Sequence, residues 1–454
     1  MDLFTYRDGS LHAEDAPVAE IVSRHATPTY IYSASTIRVH YQRLREAFAP
    51  LGASLRYAVK ANNNPAILRL LLGLGAGLDV VSGGELERAW SVGCPMDRVV
   101  FAGVGKSEAE LMAALSGEHS LLHDRWRELG LPDPSGRGPV GMLNVESAGE
   151  LELLAGLASR LGVRPRVAIR LNPDIDARTH TFTTTGRKSD KFGVPAGVAL
   201  ELFRRFGRSD AVELVGLHAH LGSPIYDPEV FAAGAGALCA LADRVLETTG
   251  VQITHLDLGG GIGADYESGQ TPPFHVYAEA LAPVLGDRVA RGLRVVIEPG
   301  RSIVGNAGIL VTRVQHVKEA GDRAVVVCDA GMNCLIRPAL YGAFHFAWPV
   351  EPGPGLVPDA RSRHPSGPGF GADDLVVTDL VGPICESSDF LARGWTMPRV
   401  VPGDLVAVFT AGAYARSMAS TYNDHPLGAE VLVEGSGERV IRSRQHHADL
   451  LALG

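Results

Sequence analysis

Strand-like and helix-like segments alternate from Arg56 to Gly300, and this alternation restricts the possible folds more than any other feature of the sequence. A strand, a helix and a second strand in succession are typical of parallel βα units, in which the helix covers one face of a parallel sheet. Eight strand segments and seven intervening helices, with one more helix before the first strand, predict a closed (β/α)8 barrel. The predicted strands are RYAVK, LDVVS, RVVFAG, MLNVES, RVAIRLN, LVGLHAHLG, THLDLGGG and RVVIEPG.

The pattern changes after Arg301. Apolar and polar residues then alternate one by one in GILVTRVQHVKEAG, RAVVVCDAG, DLVVTDLVGPI, DLVAVFTAG, AEVLVEG and RVIRSRQ. Such alternation is typical of antiparallel strands with one solvated face, and the N-terminal segments LFTYRDG and TPTYIYS have the same character. We therefore predict an α/β chain with two domains, a barrel at 35–305 and a mostly antiparallel β domain built from 1–34 and 306–454.

Two segments fit neither pattern. Residues 117–140 separate the third barrel helix from the fourth strand, and residues 350–373 are rich in proline and glycine. A short helical turn flanked by such residues is typical of a surface insertion. We predict an insertion for the first segment and a mobile loop for the second.

Charge and cysteine content exclude several classes of protein. The formal net charge of −9 argues against a nucleic-acid-binding protein, because phosphate backbones recruit basic surfaces. The sequence has no apolar run of membrane-spanning length and no basic segment leading into a signal-like apolar one, so a cytoplasmic protein without a membrane partner is expected. Five cysteines without a CxxC pair argue against a disulfide framework and a structural zinc site.

Lys60 ends the first predicted barrel strand, in the segment YAVKANNNP. The chain has only five lysines, and arginine carries most of its positive charge. A lysine in an apolar context suggests chemistry, because a desolvated amine can lose its proton whereas a guanidinium cannot. A lysine whose charged end simply reaches solvent from a strand end is the alternative.

Three more strand ends carry unusual residues. The glycines of DLGGGIG, Gly259, Gly260 and Gly261, let backbone N–H groups approach a phosphate, although such turns are also common without a ligand. Glu298 and Arg301 leave the last strand together, either as part of a site or as an ion pair at a domain junction. His218 and His220 share one strand face, where they could bind a metal; no third ligand has a suitable spacing, and His220 could equally stack on an aromatic ring.

One electrophilic cofactor explains these features together. Lys60 could form a Schiff base with pyridoxal 5'-phosphate, while Glu298 keeps the pyridine nitrogen protonated. The glycines and Ser223 would hold the phosphate, and His220 would stack on the ring. No metal is needed.

The order of the motifs resembles that of the diaminopimelate decarboxylase family, within the alanine-racemase-like enzymes that use pyridoxal phosphate. The similar motifs run from about Thr29 to Leu450: YAVKAN, DVVSGGELERA, VFAGVGKSEAEL, NVES, RLNPDIDARTH, KFG, HAHLGS, HLDLGGGIG, EPGRSIVGNAG, DAGMNCLIRPALYGAFH, VGPICESSDFLA and GDLVAVFTAGAYARSMASTYN. The resemblance implies a barrel plus a β domain, and a homodimer. It also implies removal of carbon dioxide from meso-2,6-diaminopimelate to give L-lysine, the last step of lysine biosynthesis.

The resemblance further implies a role for each matching residue. Lys60 would form the Schiff base, His220 would stack on the ring and Glu298 would pair with its nitrogen. The remaining cofactor contacts would be Ser223, Gly259, Gly260, Gly261, Gly300, Arg301 and Tyr414. Arg301, Arg337 and Tyr341 would bind the distal carboxylate of the substrate. From the second subunit, Cys385 would protonate the substrate carbon, Glu386 would bind the distal ammonium and Tyr414 would contact cofactor and substrate.

Simple chemistry supports these roles. A zwitterionic distal group needs a cation and an anion, which Arg337 and Glu386 provide, and a carbanion needs an acid such as the Cys385 thiol. The residues alone leave alternatives open: Arg337 as a surface charge, Tyr341 and Tyr414 as core aromatics, and Cys385 as an inert thiol.

The sequence departs from the family pattern in two motifs. Pro224 replaces the usual glutamine after HLGS, and THTF at Thr179–Phe182 replaces THPY. These departures leave room for a decarboxylase of a carrier-linked or polyamine-type amino acid. A catalytically silent regulatory homologue is a further alternative, which the intact Lys60, Glu298 and Cys385 argue against.

Overall fold

The structure is a computed structural model that describes residues 2–123, 125–175, 191–365, 367, 369–371 and 374–452. The chain forms two compact units. The barrel unit consists of Tyr41–Gly263 and Pro272–Gly300, and the β unit of Met1–His40, Ala264–Thr271 and Arg301–Gly454. The departure at Thr179–Phe182 lies outside the described residues.

The strands of the described chain are β1 Phe4–Arg7, β2 Ser10–Ala13, β3 Ala16–Pro17, β4 Thr29–Ser33, β5 Ser54–Ala58, β6 Gly77–Val80, β7 Val99–Phe101, β8 Met142–Val145, β9 Arg166–Arg170, β10 Glu213–His218, β11 His255–Asp257, β12 Arg294–Ile297, β13 Gly308–Ala320, β14 Arg323–Cys328, β15 Ala347–Pro349, β16 Leu375–Val381, β17 Phe390–Pro398, β18 Leu405–Val408, β19 Ala429–Glu434 and β20 Gly437–Arg442. Its α-helices are α1 Val18–His25, α2 Ala34–Phe48, α3 Pro65–Gly73, α4 Gly83–Ser91, α5 Glu108–Leu115, α6 Arg125–Glu128, α7 Ala148–Leu161, α8 Ala196–Phe206, α9 Pro228–Thr249, α10 Phe274–Ala290, α11 Arg301–Val304, α12 Arg337–Tyr341 and α13 His447–Leu451. Within these ranges, no helix combines the length and the apolar character that a membrane crossing requires.

Strands β5 to β12 form the predicted closed parallel barrel. The ring closes where β12 pairs with β5, at Val296 opposite Ser54. Four consecutive barrel strands, β7 to β10, contribute one residue each to a buried apolar cluster of Val100, Met142, Ala168 and Val215. All eight predicted strands are present, which confirms the fold class.

Serine residues cap the N-termini of several helices that follow barrel strands. The side chain of Ser82 accepts a hydrogen bond from the backbone N–H of Glu85 at the start of α4. Ser107 starts α5 with a complete capping box, and Ser147 starts α7 in a similar way. Each cap satisfies an N–H group that the first turn of a helix leaves without a partner. The sequence thus ends each strand at a defined residue, which fixes what lies at the carboxyl end of the barrel.

The β unit contains a nine-stranded sheet with the order β17-β16-β14-β13-β4-β19-β20, to which β15 and β18 add. Most neighbours are antiparallel, and β14 with β16 and β4 with β19 are parallel. The N-terminal β4 lies between β13 and β19, as predicted, whereas β1 to β3 form a small sheet of their own. Strands β2, β3, β15 and β17 were not predicted. Strand β15 has only three residues, and Gly394, with φ of 59°, interrupts the alternation in β17.

The segment 117–140 contains the expected helical turn, α6, but part of it is buried. Arg137 forms an ion pair with Glu87 of α4, at 2.9 Å between Nη1 and Oε2. Both side chains are at most 5% exposed, and the Ser120 hydroxyl donates to the same carboxylate at 3.0 Å. The insertion is therefore anchored on the barrel by a buried charge pair that sequence spacing does not reveal.

Candidate active site

Lys60 lies directly after β5, in a single 3-10 turn at Val59–Ala61. The asparagines that follow shape the exit from this turn: the Asn62 side chain accepts from the N–H of Asn64, and Asn64 caps α3. The Lys60 Nζ lies 2.7 Å from Oδ2 of Asp79, the third residue of β6. The lysine side chain is 34% exposed whereas Asp79 is completely buried. An amine that is positioned by a hydrogen bond and is still accessible can react with the carbonyl group of a ligand.

Four buried polar residues form what we call the barrel cluster: Asp79, His218, Asp257 and Glu298. The Nε2 of His218 lies 3.6 Å from Oε2 of Glu298, and the nearest ligand-type atoms of His218, Asp257 and Glu298 all lie within 4.8 Å of one another. Asn144 donates to Asp257 at 3.1 Å. A His/Asp/Glu group could hold a metal ion, but this one does not include His220, and the expectation that His218 and His220 have no third ligand of suitable spacing stays a prediction.

The carboxylates of the barrel cluster differ in protonation. Burial raises the pKa of Asp79 to about 6, and the charge of Glu298 adds to this shift. Burial and then Glu298 raise the pKa of Asp257 well above its usual range. Burial alone would raise the pKa of Glu298 as well, but His218 and then Lys60 outweigh it and lower that pKa. The surroundings therefore favour the ionised form of Glu298 and the protonated form of Asp257, since burial opposes two neighbouring negative charges.

His220 presents a neutral ring beside this cluster. The backbone N–H of Gly260 donates to its Nδ1 at 3.0 Å, so the ring proton of the neutral form lies on Nε2. Burial, followed by the charges of Lys60 and Arg170, lowers the pKa of His220 well below its usual range. A neutral planar ring is suited to stacking on an aromatic ligand.

Glycines allow the turns after β11 and β12 to pack closely. Gly259 has φ of 66°, and a Cβ at this position would lie 2.6 Å from the carbonyl oxygen of Ala219. A Cβ at Gly300 would lie 2.9 Å from that of Ala61, in the turn that carries Lys60. Gly260, Gly261 and the half-buried Ser223 belong to the same carboxyl-terminal end of the barrel. Only glycine leaves room for this approach, which brings backbone N–H groups to a surface where a phosphate could bind.

The β unit contains a second group of polar side chains, which we call the arginine cluster: the buried Tyr266, Arg301, Arg337 and His345, and the half-buried Tyr414. Arg301 Nη1 donates to the Tyr266 hydroxyl at 2.7 Å, and Arg337 Nη1 lies 2.7 Å from His345 Nε2. The guanidinium of Arg337 lies 4.6 Å from the centre of the Tyr266 ring, and that of Arg301 lies 4.6 Å from the Tyr414 ring. Aromatic faces thus stabilise two arginines that are each 6% exposed.

His345 of the arginine cluster orients an arginine, unlike His220 of the barrel, whose ring is suited to stacking. His345 donates from Nδ1 to the carbonyl oxygen of Phe409 at 2.9 Å. In the neutral ring Nε2 therefore carries no proton, and it accepts a hydrogen bond from Arg337. Burial and then the charge of Arg337 lower the pKa of His345 to about 3. The imidazole is therefore a neutral acceptor that orients a guanidinium without cancelling its charge. Sequence reasoning missed His345 and Tyr266, although His345 lies in the motif RPALYGAFH.

The backbone of Tyr414 is unusual. Its φ of 55° lies in the left-handed region, which aromatic residues rarely adopt. Such conformations are retained where the surroundings enforce them, often at functional sites. The location of the strained residue beside Arg301 supports a functional role for this tyrosine rather than a core role.

The remaining predicted residues belong to neither cluster. Tyr341 is the half-buried last residue of α12. The thiol of Cys385 is exposed, and the Glu386 carboxylate accepts from the Tyr422 hydroxyl at 2.5 Å. Asp389 accepts from the N–H groups of Met332 and Ile384 and fixes the start of this loop. The roles of Tyr341, Cys385 and Glu386 stay predictions.

The chain is similar to known proteins along its whole length. Residues 34–305 match the model of the pyridoxal-dependent decarboxylases, pyridoxal binding domain. Diaminopimelate decarboxylase of Pseudomonas aeruginosa is 40% identical, and the match covers 100% of this chain and 98% of that protein; the enzyme of Aquifex aeolicus is 39% identical, with 97% and 95% covered. The chain belongs to the diaminopimelate decarboxylase family.

The family similarity extends to three-dimensional structure. The crystal structure of Helicobacter pylori diaminopimelate decarboxylase complexed with L-lysine matches with a TM-score of 0.82 and 36% identity. The match covers 96% of this chain and 98% of that protein, so both units are included. The diaminopimelate decarboxylase resemblance inferred from the motifs is confirmed.

The barrel residues of this family member fit pyridoxal phosphate. Glu298 Oε1 is buried and has no hydrogen-bond partner among the described residues, which leaves an acceptor for a protonated ring nitrogen. The glycine turns provide the close backbone approach that a phosphate group requires. The Glu298 oxygen, the glycine turns and the amine of Lys60 thus offer contacts for the ring nitrogen, the phosphate and the aldehyde carbon of the cofactor at one end of the barrel.

Proposed function

We propose that this protein is a carboxy-lyase that converts meso-2,6-diaminopimelate to L-lysine and carbon dioxide, with pyridoxal 5'-phosphate as its cofactor. The observation that carries the proposal is the buried Glu298 carboxylate, whose Oε1 has no hydrogen-bond partner among the described residues, at a barrel end that also contains the half-buried amine of Lys60. The similarity to diaminopimelate decarboxylases along the whole chain supports this substrate over a carrier-linked or polyamine-type amino acid.

The barrel residues would hold the cofactor. Lys60 would attach it through its amine, Glu298 would keep a proton on the ring nitrogen and His220 would cover one ring face. Gly259, Gly260, Gly261, Ser223, Gly300, Arg301 and Tyr414 would surround the rest of the cofactor. When bound, the cofactor supplies an electron sink for the pair that remains as the carboxylate leaves.

The β unit would bind and protonate the substrate. Arg301 and Arg337 carry positive charge for the distal carboxylate, and Tyr341 would add a hydroxyl. Glu386 would bind the distal ammonium, and the Cys385 thiol would give its proton to the α-carbon after decarboxylation. A thiol that donates this proton must regain one from solvent before the next turnover.

Replacement of the lysine tests the central step. Lys60→Ala should lose the visible absorption band of the purified protein and about 1000-fold or more in carbon dioxide release. Lys318→Ala, which removes an exposed lysine of β13, should change neither. A colourless wild-type protein after incubation with the cofactor would contradict the proposal. Comparison of diaminopimelate with ornithine, arginine and carboxynorspermidine as substrates tests the specificity.

We further propose that two chains share their active sites. Cys385 and Glu386 are exposed on the single chain. In a dimer these two residues of one subunit would enter the active site of the other subunit and become covered there. A mixture of Lys60→Ala and Cys385→Ala chains should then regain about a quarter of the wild-type activity, because one site in a mixed dimer has both residues intact. No regain after mixing, with mixed dimers detected, would contradict shared sites.

The cytoplasm is the proposed location of the protein. The five cysteines are all free thiols, which agrees with a reducing compartment. No nucleic acid or membrane partner is proposed.

A further inference from the structure

A carboxylate as deeply buried as Glu298 needs a partner to remain charged. Glu298 is 3% exposed and its Oε1 has no hydrogen-bond partner among the described residues. Burial without a partner favours the neutral acid, which could not hold a proton on a pyridine nitrogen. One of its neighbours must therefore stabilise the negative charge.

The groups that face Glu298 come from four barrel elements: Lys60 after β5, Asp79 of β6, His218 and His220 of β10 and its end, and Asp257 of β11. Asp79 and Asp257 are acids and oppose a charge on Glu298. Lys60 is paired with Asp79 and is the amine that the cofactor would occupy. His220 is neutral and would lie against the ring. His218 alone among these groups can stabilise Glu298 after the cofactor is attached.

The geometry of His218 fits this role. Its side chain is 1% exposed, its Nε2 lies 3.6 Å from Glu298 Oε2, and neither ring nitrogen has a closer hydrogen-bond partner among the described residues. A small rotation of either side chain would bring the pair to hydrogen-bond distance. The ring is thus available to Glu298, and the cofactor roles proposed above do not use it.

Asp257 completes the arrangement. Its two oxygens accept from the Asn144 amide at 3.1 Å and from the Gly259 N–H at 3.0 Å, which fixes the carboxyl group in place. Asp257 and Glu298 are too close to carry two charges in a buried site, and burial with the charge of Glu298 raises the pKa of Asp257. Asp257 is therefore the member that holds a proton.

We infer that His218 is a positioning residue that, with its Nε2 3.6 Å from Oε2 of Glu298, stabilises the charge of Glu298 and directs this carboxylate at the cofactor ring nitrogen. The inference rests on the proposed function, since it concerns the same cofactor. It predicts that loss of the imidazole is not tolerated as long as Glu298 carries a charge.

A double-mutant cycle tests whether His218 acts through Glu298. His218→Leu should lower kcat about 100-fold in the wild-type background and less than about threefold in the Glu298→Gln background, where no charge remains to stabilise. If His218→Leu costs as much in the Glu298→Gln background, the residue has only a structural role and the inference is wrong.

Spectroscopy provides a readout that a structural defect would not give. In His218→Leu the pKa of Glu298 should rise, so the absorption band and kcat, each taken relative to the wild type at the same pH, should recover as pH increases from about 5 to about 9. His218→Asn keeps an N–H donor and should recover part of the effect if the leucine variant folds poorly. Identical pH profiles for the wild type and both variants would overturn the inference.

Two controls test for a bound metal and for an absent cofactor. Loss of wild-type activity on chelation, with recovery after addition of a divalent metal, would mean that His218, Asp257 and Glu298 bind a metal, and would overturn the inference. A wild-type protein without a cofactor band or carbon dioxide release contradicts the proposed function itself. That failure is visible before any variant is compared.

Discussion

The two buried clusters of this chain are electrostatic opposites. The barrel cluster places Asp79, Asp257 and Glu298 around one histidine, whereas the arginine cluster places two guanidinium groups around another. His218 lies beside carboxylates and His345 accepts from an arginine. An anionic pocket suits a protonated ring nitrogen, and a cationic pocket suits a carboxylate. This difference in charge supports the proposal that the first cluster binds the cofactor and the second binds the distal end of the substrate.

Each cluster limits the cost of burying like charges in its own way. In the barrel cluster, burial and the charge of Glu298 raise the pKa of Asp257, which favours a neutral acid beside the charged Glu298. In the arginine cluster no proton can be removed from a guanidinium, and aromatic faces and a neutral imidazole stabilise the charge instead. The acidic cluster therefore lowers its charge repulsion by protonation of one carboxylate. The arginine cluster keeps both charges, and aromatic and neutral polar side chains stabilise them.

The largest effect is expected from removing the charge of the barrel cluster. Glu298→Gln should lower kcat by about 1000-fold, since the charge that holds the ring proton is lost, and should change KM less than about threefold. Steady-state kinetics with the cofactor-saturated enzyme provide the measurement. A large rise in KM with an unchanged kcat would mean that Glu298 binds substrate, and the assignment of the two clusters would have to be reversed.

The arginine cluster should respond in the opposite way. Arg337→Met should raise the KM for diaminopimelate about 100-fold through loss of charged hydrogen bonds, with the cofactor band unchanged. Weaker binding of L-lysine, measured by calorimetry, should accompany this rise. Arg439→Met, at an exposed position of β20, is the matched control and should leave both quantities unchanged. Loss of the cofactor band in Arg337→Met would contradict the assignment of the two clusters.

The contrast between the clusters also shows what the sequence could predict. The barrel followed from the number and period of its strands, because every strand buried on both faces shows an apolar run. Lys60, His220 and Glu298 were identified because the carboxyl ends of parallel strands meet at one face. Strand β15 was missed because three residues do not establish a period.

Pairing between distant side chains could not be predicted. Asp79 is one acid in an apolar strand, and nothing in LDVVS shows that the amine of Lys60 lies 2.7 Å away. His345 and Phe409 are distant in sequence, and their hydrogen bond depends on how the β unit folds. Spacing along a chain predicts which side chains reach one end of a barrel, but partners depend on strand order and register.

A smaller effect is expected from His345, which would act on the substrate end only through Arg337. His345→Gln should raise the KM for diaminopimelate about tenfold and leave kcat nearly constant, since glutamine keeps an acceptor but not its position. A rise in KM as large as that of Arg337→Met would mean that His345 itself contacts the substrate.

His345 should also affect the pH dependence of stability. Its pKa is about 3 in the folded state and about 6.5 when unfolded, so the unfolded state alone binds the proton between these values. The free energy of unfolding should therefore fall as pH decreases from about 6.5 toward about 3, by up to about 1.4 kcal/mol per pH unit from this group. Urea unfolding at several pH values should show a flatter slope in His345→Gln. The exposed His447→Gln should keep the wild-type slope.

The smallest effect on turnover is expected from a buried charge pair that belongs to neither cluster. Glu87 accepts from Arg137, from the Ser120 hydroxyl and from the Leu121 N–H, so its oxygens are fully used within the protein. Arg137→Met should leave kcat and KM within about twofold of wild type, yet lower the free energy of unfolding by about 3 kcal/mol because it strands a buried carboxylate. The double variant Glu87→Leu and Arg137→Met should recover much of that loss, since no unpaired charge remains. An unchanged turnover would support the view that buried charged groups bind cofactor or substrate only when one of their hydrogen-bonding positions has no partner in the protein. A large change in turnover would contradict this view.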